Sequence, residues 1–133
     1  MSVNTSHVKQ HQYPFNRHLD PLYYRDLKIY HHVYDGLGDD EIAPAIESTV
    51  DAMVARAEAN LLIILDLRGT KIDLKALSAF KRTSPRSKHL IKKISVIGIH
   101  EIQTAFLNYI SSIFGLNIRA FDDVDNAKEW LVE

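Results

Sequence analysis

The chain contains no cysteine, and neither sign of charge dominates its 133 residues. The absence of cysteine excludes disulfides, thiolate catalysis and thiolate metal sites, and it fits a reducing cytosol. With 16 Lys and Arg against 17 Asp and Glu, the formal net charge is -1. No global field therefore favours nucleic acid or an anionic membrane, and an electrostatic partner must be met by a local patch.

Long apolar runs are also missing. The longest one, residues 61–65, is far shorter than the ~20 residues that cross a bilayer. The first twenty residues are polar and lack the apolar core of a signal peptide. We therefore expect a soluble, cytoplasmic protein without a transmembrane segment.

The remaining composition is that of one globular domain, with 46% hydrophobic and 25% charged residues. Residues 1–20 show no hydrophobic periodicity and predict a flexible N-terminal arm. His7 and His11 have helical spacing there, but metal centres need three or four converging ligands. The sequence thus predicts no metal site and no cofactor, and it places one folded domain at residues 21–133.

The folded part alternates between strand and helix patterns. Residues 27–34 have the period of two of a half-buried strand, with 22–24 as a possible antiparallel partner. A helix should follow, capped by Asp39 or Asp40 and with Pro44 in its first turn. The later elements are a buried central strand at 61–67, a short helix from Asp73, a strand at 94–99, a helix at 100–114, a strand at 116–121 and a helix opened by Asp122 and Asp123.

Strands that are separated by helices normally lie parallel and are joined by right-handed crossovers. The order of elements therefore predicts an α/β fold with a mixed sheet and helices packed against it. The segments LLIILDLRGT, KKISVIGI and NIRAFDDVDNAKEWL resemble the SpoIIAA-like family, which is related to STAS domains and to Sec14-type lipid-binding folds. The resemblance covers roughly residues 22–132 and implies a SpoIIAA-like sandwich of four to five strands, with helices mainly on one face.

The resemblance also implies where a regulatory switch would lie. STAS domains that antagonise anti-sigma factors carry a phosphorylatable Ser or Thr after an Asp, at the start of the helix that follows the central strand. That Asp matches Asp73, but the next residues are Leu74 and Lys75, which cannot accept a phosphoryl group. Thr70 and Ser78 match the switch position poorly, and this departure argues against a phospho-switch.

Polar residues follow two of the predicted strands and define a candidate ligand site. Because α/β sheets place ligands at the carboxyl ends of their strands, these residues could line a small polar pocket. The alternative is that they serve the loops, with Arg68 paired to a carboxylate. The candidate ligand-binding residues are Asp66, Arg68, Thr70, His100 and Glu101.

A basic stretch is the clearest interaction signal. We expect residues 81–93 to form a loop with six cationic side chains and no acidic one: Lys81, Arg82, Arg86, Lys88, Lys92 and Lys93. Such a loop could dock an acidic protein segment, an anionic lipid headgroup or RNA, or simply be solvated. Nucleic acid is the least favoured, because the stretch lacks aromatic stacking residues.

The first long strand carries aromatic residues on the face opposite Ile29 and Val33. If those two point to the core, Tyr30 and Tyr34 point away, so that face is either covered by a helix or forms an interface, most simply a homodimer. His31 and His32 must face opposite sides of the strand. We expect one to be buried and hydrogen-bonded and the other to lie at the surface.

No nucleophile with a matched base stands out, so the sequence favours a non-enzymatic domain that acts through an unidentified protein partner or holds a small apolar or anionic ligand. Two alternatives stay open. One is a weakly catalytic domain that uses Asp66, Thr70 and His100. The other is a lipid carrier of the Sec14 kind, which would need a large apolar cavity.

Overall fold

The structure is a computed structural model that describes residues 21–38, 40–70, 72–99 and 101–133, without the side chains of residues 101–103, 113 and 114. The expected N-terminal arm at residues 1–20, with His7 and His11, lies outside the described residues. Asp39 and His100 lie outside them as well.

Five strands and four α-helices make up this part of the chain. In order they are β1 (Leu22–Tyr24), β2 (Leu27–Val33), α1 (Ile42–Arg56), β3 (Leu61–Asp66), α2 (Leu74–Ser87), a 3-10 turn (Lys88–Leu90), β4 (Ile91–Ile97), α3 (Glu101–Phe114), β5 (Ile118–Phe121) and α4 (Val124–Val132).

The strands form one mixed sheet in the order β1-β2-β3-β4-β5. β1 pairs antiparallel with β2, whereas β2, β3, β4 and β5 run parallel to one another. Every residue of the central strand β3 is buried, as expected for a strand covered on both faces. The predicted α/β class and mixed sheet are confirmed.

Helix starts follow the sequence signals at two of the three predicted caps. Asp73 accepts a hydrogen bond from the backbone N–H of Ala76 at 3.0 Å, and Asp123 accepts one from Asn126 at 2.8 Å. These bonds satisfy backbone donors that the first helical turn leaves without partners. The cap expected at Asp40 is wrong, because α1 begins after Glu41, which makes no side-chain cap.

The apolar side chains divide into two clusters on opposite faces of the sheet. The larger one lies under α1, α2 and α3, and the smaller one lies under α4. Three crossovers in the same direction along the sheet place their helices on the same face, so the helices lie mainly on one side, as expected. The members of the smaller cluster are Ile29, Leu62, Ile64, Ile97, Ala127, Trp130 and Leu131.

The tyrosine face of β2 is covered. Tyr30 and Tyr34 retain only 5% and 3% of their exposure and belong to the larger cluster, together with Ile42, Ala45 and Ile46 of α1. Of the two expectations for this face, the covering helix is therefore the one the structure shows. The two histidines match the expectation in part. His32 is buried, as expected for one of them, but His31 is half-buried rather than at the surface and bonds to Asp66.

The expected basic loop is wrong. Residues up to Ser87 continue α2, and a 3-10 turn then leads directly into β4. Pro85 lies inside the helix, where it cannot donate to the carbonyl of Lys81, but both residues are exposed and water can reach that carbonyl. The six cations thus lie on a helix, a turn and a strand, which fixes their directions.

Candidate functional site

The loops at the carboxyl ends of β2, β3 and β4 are packed against each other. Tyr34 donates its backbone N–H to the carbonyl of Asp66 at 3.0 Å, and Leu67 donates to the carbonyl of Ile97 at 2.8 Å. Each parallel pairing is therefore extended by one bond past the strand end. This is the edge of an α/β sheet at which ligands commonly bind.

Asp66, the last residue of β3, lies at the centre of a three-residue cluster. Its Oδ1 accepts a hydrogen bond from Nε of Arg68 at 2.9 Å, and its Oδ2 accepts one from Nη2 at 2.7 Å. The guanidinium therefore binds the carboxylate through two parallel hydrogen bonds. The backbone N–H of Arg68 adds a third bond to Oδ1 at 3.2 Å. Nε2 of His31 lies 2.9 Å from Oδ2.

The cluster keeps a buried carboxylate charged. The Asp66 side chain is 5% exposed, against 24% for His31 and 55% for Arg68. Burial alone would raise the pKa of Asp66, but the hydrogen bonds from Arg68 and His31 together outweigh it and lower that pKa. The same side-chain hydrogen bond raises the pKa of Arg68. Asp66 thus holds two exposed or half-exposed side chains in fixed positions.

His31 is the member that sequence reasoning missed as a site residue. In the parallel register Val33 lies beside Asp66 and His31 lies beside Ile64, so His31 and Asp66 point to the same face of the sheet. The two residues are 35 positions apart, and the pairing register that joins them is not visible in the sequence. The signal available there was the alternation of residues 27–34, which places His31 and Val33 on one face.

The other candidate ligand residues are not all joined to this cluster. The hydroxyl of Thr70 donates to the backbone carbonyl of Tyr34 at 3.1 Å, so it closes the loop after β3. Glu101 begins α3, but its side chain lies outside the described part, as does His100. The structure therefore brings together Asp66, Arg68 and His31, and it gives Thr70 a separate, local bond.

Close backbone packing holds Arg68 in place. Gly98, which follows β4, has a φ of +89°, and a Cβ built on it would lie 2.7 Å from Cα of Arg68. Residues with a side chain rarely adopt that φ, and no real Cβ fits at that distance. The absence of a side chain at residue 98 thus lets the loops after β3 and β4 touch.

The six basic residues separate into paired and unpaired sets. Arg82 and Arg86 of α2 form ion pairs with Glu47 and Asp51 of α1. Nζ of Lys93 turns to the other face of the sheet, where it donates to the carbonyl of Trp130 at 2.8 Å. The exposed cations for which the described residues offer no ion pair are Lys81, Lys88 and Lys92.

An exposed leucine lies at the opposite end of α2. Leu74 is 78% exposed at the first position of the helix. It borders a shallow groove of about 360 Å³ that also touches Ala43, Lys75, Ser78 and Arg82. One apolar side chain and several polar or cationic ones therefore share the outward face of α2.

Several acidic residues precede helices at the carboxyl edge of the parallel strands, and the last turns of α1 and α2 carry basic ones. Helices α1, α2 and α4 all begin at the carboxyl edge of the parallel strands and end at the amino edge. Acidic residues stabilise helix N-termini and basic residues stabilise C-termini, and α1 and α2 follow this rule at their ends. Acidic residues at the helix starts are Asp40, Glu41, Asp73, Asp122 and Asp123, and basic ones at the ends are Arg56, Arg86 and Lys88.

The interior cavity under α1, α2 and α3 is small. Its volume is about 40 Å³, and its lining includes Tyr34, Met53, Phe80, Val96 and Leu107. Ligand pockets typically measure ~300–1,000 Å³. A lipid chain does not fit this cavity without a large displacement of the helices.

Among the described residues, no helix combines the length and the apolar character needed to cross a bilayer. The five-stranded sheet with three helices on one face and one on the other defines a small α/β sandwich domain. Residues 29–132 match the model of the SpoIIAA-like family, and the chain belongs to that family. The resemblance expected from the sequence is thereby confirmed.

A solved structure agrees with this assignment. The chain is similar to an uncharacterized protein of the DUF3478 family with a SpoIIAA-like fold from Shewanella loihica PV-4. The TM-score is 0.58 at 15% sequence identity, over 84% of this chain and 90% of that one. No curated protein matches the chain. At this identity the similarity defines the fold alone.

Proposed function

We propose that this SpoIIAA-like domain is a non-enzymatic interaction module that docks an acidic segment of another protein. The docking surface is formed by three exposed cations that have no ion pair with any described residue, and we call it the basic surface: Lys81, Lys88 and Lys92. It spans the last turns of α2, the 3-10 turn and the start of β4. The observation that carries the proposal is the difference between these cations and Arg82 and Arg86, which are already neutralised by α1.

The local charge at this end of the molecule supports an acidic partner. Cations stabilise a helix C-terminus, and this role accounts for part of the enrichment at the end of α2. This helix-end role does not account for Lys92, which lies in β4. Lys92 has no pairing partner in β3, because the register between the two strands shifts at this position. An exposed Lys at such an irregularity has no helix dipole to complement, and it is available to a partner.

The outward face of α2 also offers an apolar contact. Leu74, Ser78 and Lys81 follow each other at helical spacing along that face. Leu74 and Lys88 are separated by about 20 Å along the helix axis, at 1.5 Å per residue. A partner segment that covers both would carry an apolar residue at one end and carboxylates at the other.

A homodimer and nucleic acid have less support. The tyrosine face that suggested a homodimer is covered by α1. Residues 81–93 contain no Phe, Tyr or Trp on which bases could stack. The proposed partner is therefore a different protein.

The test compares two sets of substitutions in the same protein. Affinity capture with the wild-type chain and mass spectrometry identify a partner, and calorimetry then measures its affinity. We expect Lys81→Ala, Lys88→Ala and Lys92→Ala together to weaken binding about tenfold or more and to reduce its salt dependence. The matched control is Arg82→Ala with Arg86→Ala, which removes paired cations and should weaken binding less. Equal affinity of the triple variant and the wild type would refute the proposal.

A further inference from the structure

We propose that Arg68 and His31 form a binding site for one small oxyanion, a carboxylate or phosphate group, with Asp66 holding both side chains in place. The site lies at the carboxyl end of the central strand, opposite the basic surface along the sheet. It does not depend on the docking proposal. The argument rests on which atoms of the two side chains remain available once Asp66 is satisfied.

One edge of the Arg68 guanidinium has no hydrogen-bond partner among the described residues. The guanidinium binds Asp66 through Nε and Nη2. A guanidinium carries five N–H groups in a rigid plane, so the edge formed by Nη1 and the second N–H of Nη2 points away from Asp66. The side chain is 55% exposed. An oxyanion can therefore accept two parallel hydrogen bonds from this edge, as Asp66 does from the other edge.

His31 has a second ring nitrogen, Nδ1, for which the described residues offer no partner. Its Nε2 lies 2.9 Å from the same carboxylate oxygen that Nη2 of Arg68 contacts at 2.7 Å. Two groups that contact one oxygen are neighbours, and the geometry of imidazole turns Nδ1 away from Asp66. The carboxylate of Asp66 only accepts, so Nε2 carries the hydrogen of this bond. In the imidazolium form Nδ1 carries a hydrogen as well, and His31 then offers a second N–H donor to an oxyanion held by Arg68.

The sheet face is open where the cluster lies. α4 covers Ile29 of β2 and Ile64 of β3, which are fully buried. Further along β2, His31 and Val33 are only half-buried. The buried carboxylate of Asp66 lies beneath the two side chains that it holds in place, and its lowered pKa keeps it charged at neutral pH.

The surrounding charge limits the ligand to a small one. Asp35 lies against Gly69, directly beside Arg68 in the chain, and Asp122 and Asp123 follow β5 at the same edge. These acids repel an extended polyanion such as nucleic acid. A single carboxylate or phosphate group gains its affinity from short hydrogen bonds to Arg68, which are less affected by distant charges.

Nuclear magnetic resonance can test this site directly. ¹⁵N-labelled protein is titrated with sodium phosphate and, separately, with sodium acetate, at an ionic strength kept constant with sodium chloride. We expect saturable shifts of the Arg68 Nε–H and the His31 ring signals with at least one titrant. Saturation by phosphate alone identifies a phosphate site, and saturation by acetate alone or by both identifies a carboxylate-binding one.

Variants separate a real site from a general effect of salt. Arg68→Gln should weaken binding at least tenfold, and His31→Gln, which keeps an N–H donor for Asp66, should also weaken it. Arg82→Gln is the matched control. Arg82 is 56% exposed and ion-paired like Arg68, but its ion pair with Glu47 includes no histidine of the described residues. If Arg68→Gln fails to fold, His31→Gln decides. Non-saturating shifts in the wild type, or unchanged affinity in His31→Gln, would overturn the proposal.

Discussion

The hydroxyl oxygen of Tyr34 lies 3.2 Å from Oγ1 of Thr49, and this contact joins the end of β2 to the middle of α1. Both residues are buried. Thr49 also donates to the carbonyl of Ala45 one turn earlier at 2.9 Å. The Thr49 hydroxyl donates to one group and so accepts from the other, which makes Tyr34 the donor. Tyr34 lies on the face for which the sequence left a covering helix or an interface open, and its hydroxyl is hydrogen-bonded to Thr49 inside the core.

Replacing Tyr34 with Phe should lower the free energy of unfolding by about 1 kcal/mol at pH 7, because one buried hydrogen bond is lost. Burial raises the pKa of Tyr34 from 10.0 to about 12. The unfolded chain then ionises this group first, so its contribution is complete below about pH 10 and is lost as pH rises towards about 12.

Urea unfolding of both proteins at pH 8 and pH 11 measures this effect. The other tyrosines are common to both proteins, so the difference between the two reports Tyr34. The stability advantage of the wild type should shrink at the higher pH. A difference that stays the same would show that Tyr34 ionises equally easily in the folded and unfolded chain.

The sequence was sufficient for the order of elements because each element carries its own signal. The continuous apolar run of β3 and the caps at Asp73 and Asp123 depend on residues that are near in sequence. The covering of Tyr30 depends on where α1 packs, which local periodicity does not contain. Tyrosine is also ambiguous by nature, since an apolar ring carries a polar hydroxyl.

The helix at residues 81–87 was missed because Thr, Ser and Pro favour turns. In the structure the Oγ1 of Thr83 donates to the carbonyl of Ala79 at 2.8 Å, and the Oγ of Ser87 donates to that of Thr83 at 3.3 Å. These bonds satisfy hydroxyls on the buried side of α2. Residues that argue for a loop therefore serve as the core face of a helix, which only the tertiary packing reveals.

The candidate site was predictable in part. Asp66 and Arg68 are two residues apart, and their pairing was one of the alternatives that the sequence allowed. His31 reaches Asp66 through the register between β2 and β3, which depends on the whole sheet. Local chemistry could thus be expected, whereas the third member required the fold.

Asp66→Asn should destabilise the protein by about 2 kcal/mol at pH 7, because Arg68 and His31 lose the buried charged group that accepts their hydrogen bonds. Hydrogen bonds hold the pKa of Asp66 below its ordinary 3.8. The wild type is therefore favoured above that value, and its advantage disappears as pH falls through the lower folded pKa.

Unfolding curves from pH 7 down to acid conditions would follow this loss. The matched control is Asp40→Asn, which removes a carboxylate that is 91% exposed and lies 3.4 Å from Lys75, and it should cost much less than Asp66→Asn. If Asp66→Asn were as mild as Asp40→Asn at neutral pH, the cluster would contribute nothing to stability.

Gly98→Ala should destabilise the protein by about 3 kcal/mol, because both the backbone conformation and the space exclude a side chain. Its Cβ would meet the backbone of Leu67 and Arg68 at 2.7 Å. Gly36→Ala separates the two causes, since Gly36 has a φ of +91° but nothing within 4 Å of the added carbon. That control should cost about 1 kcal/mol. Similar losses in thermal unfolding for both variants would show that the close approach at residue 98 is unimportant.

The amino group of Lys93 joins β4 to the end of α4, and this contact can be followed through the only tryptophan of the chain. Its Nζ donates to the carbonyls of Trp130 at 2.8 Å and Glu133 at 3.3 Å, and it lies 4.9 Å from the centroid of the indole ring. A cation at a helix C-terminus satisfies carbonyls that the helix leaves without partners. Lys93→Ala should therefore cost about 1 kcal/mol in fluorescence-monitored urea unfolding and shift the Trp130 emission to longer wavelength. Lys92→Ala changes the adjacent, exposed lysine and should leave both stability and emission unchanged, so equal effects of the two substitutions would contradict the assignment.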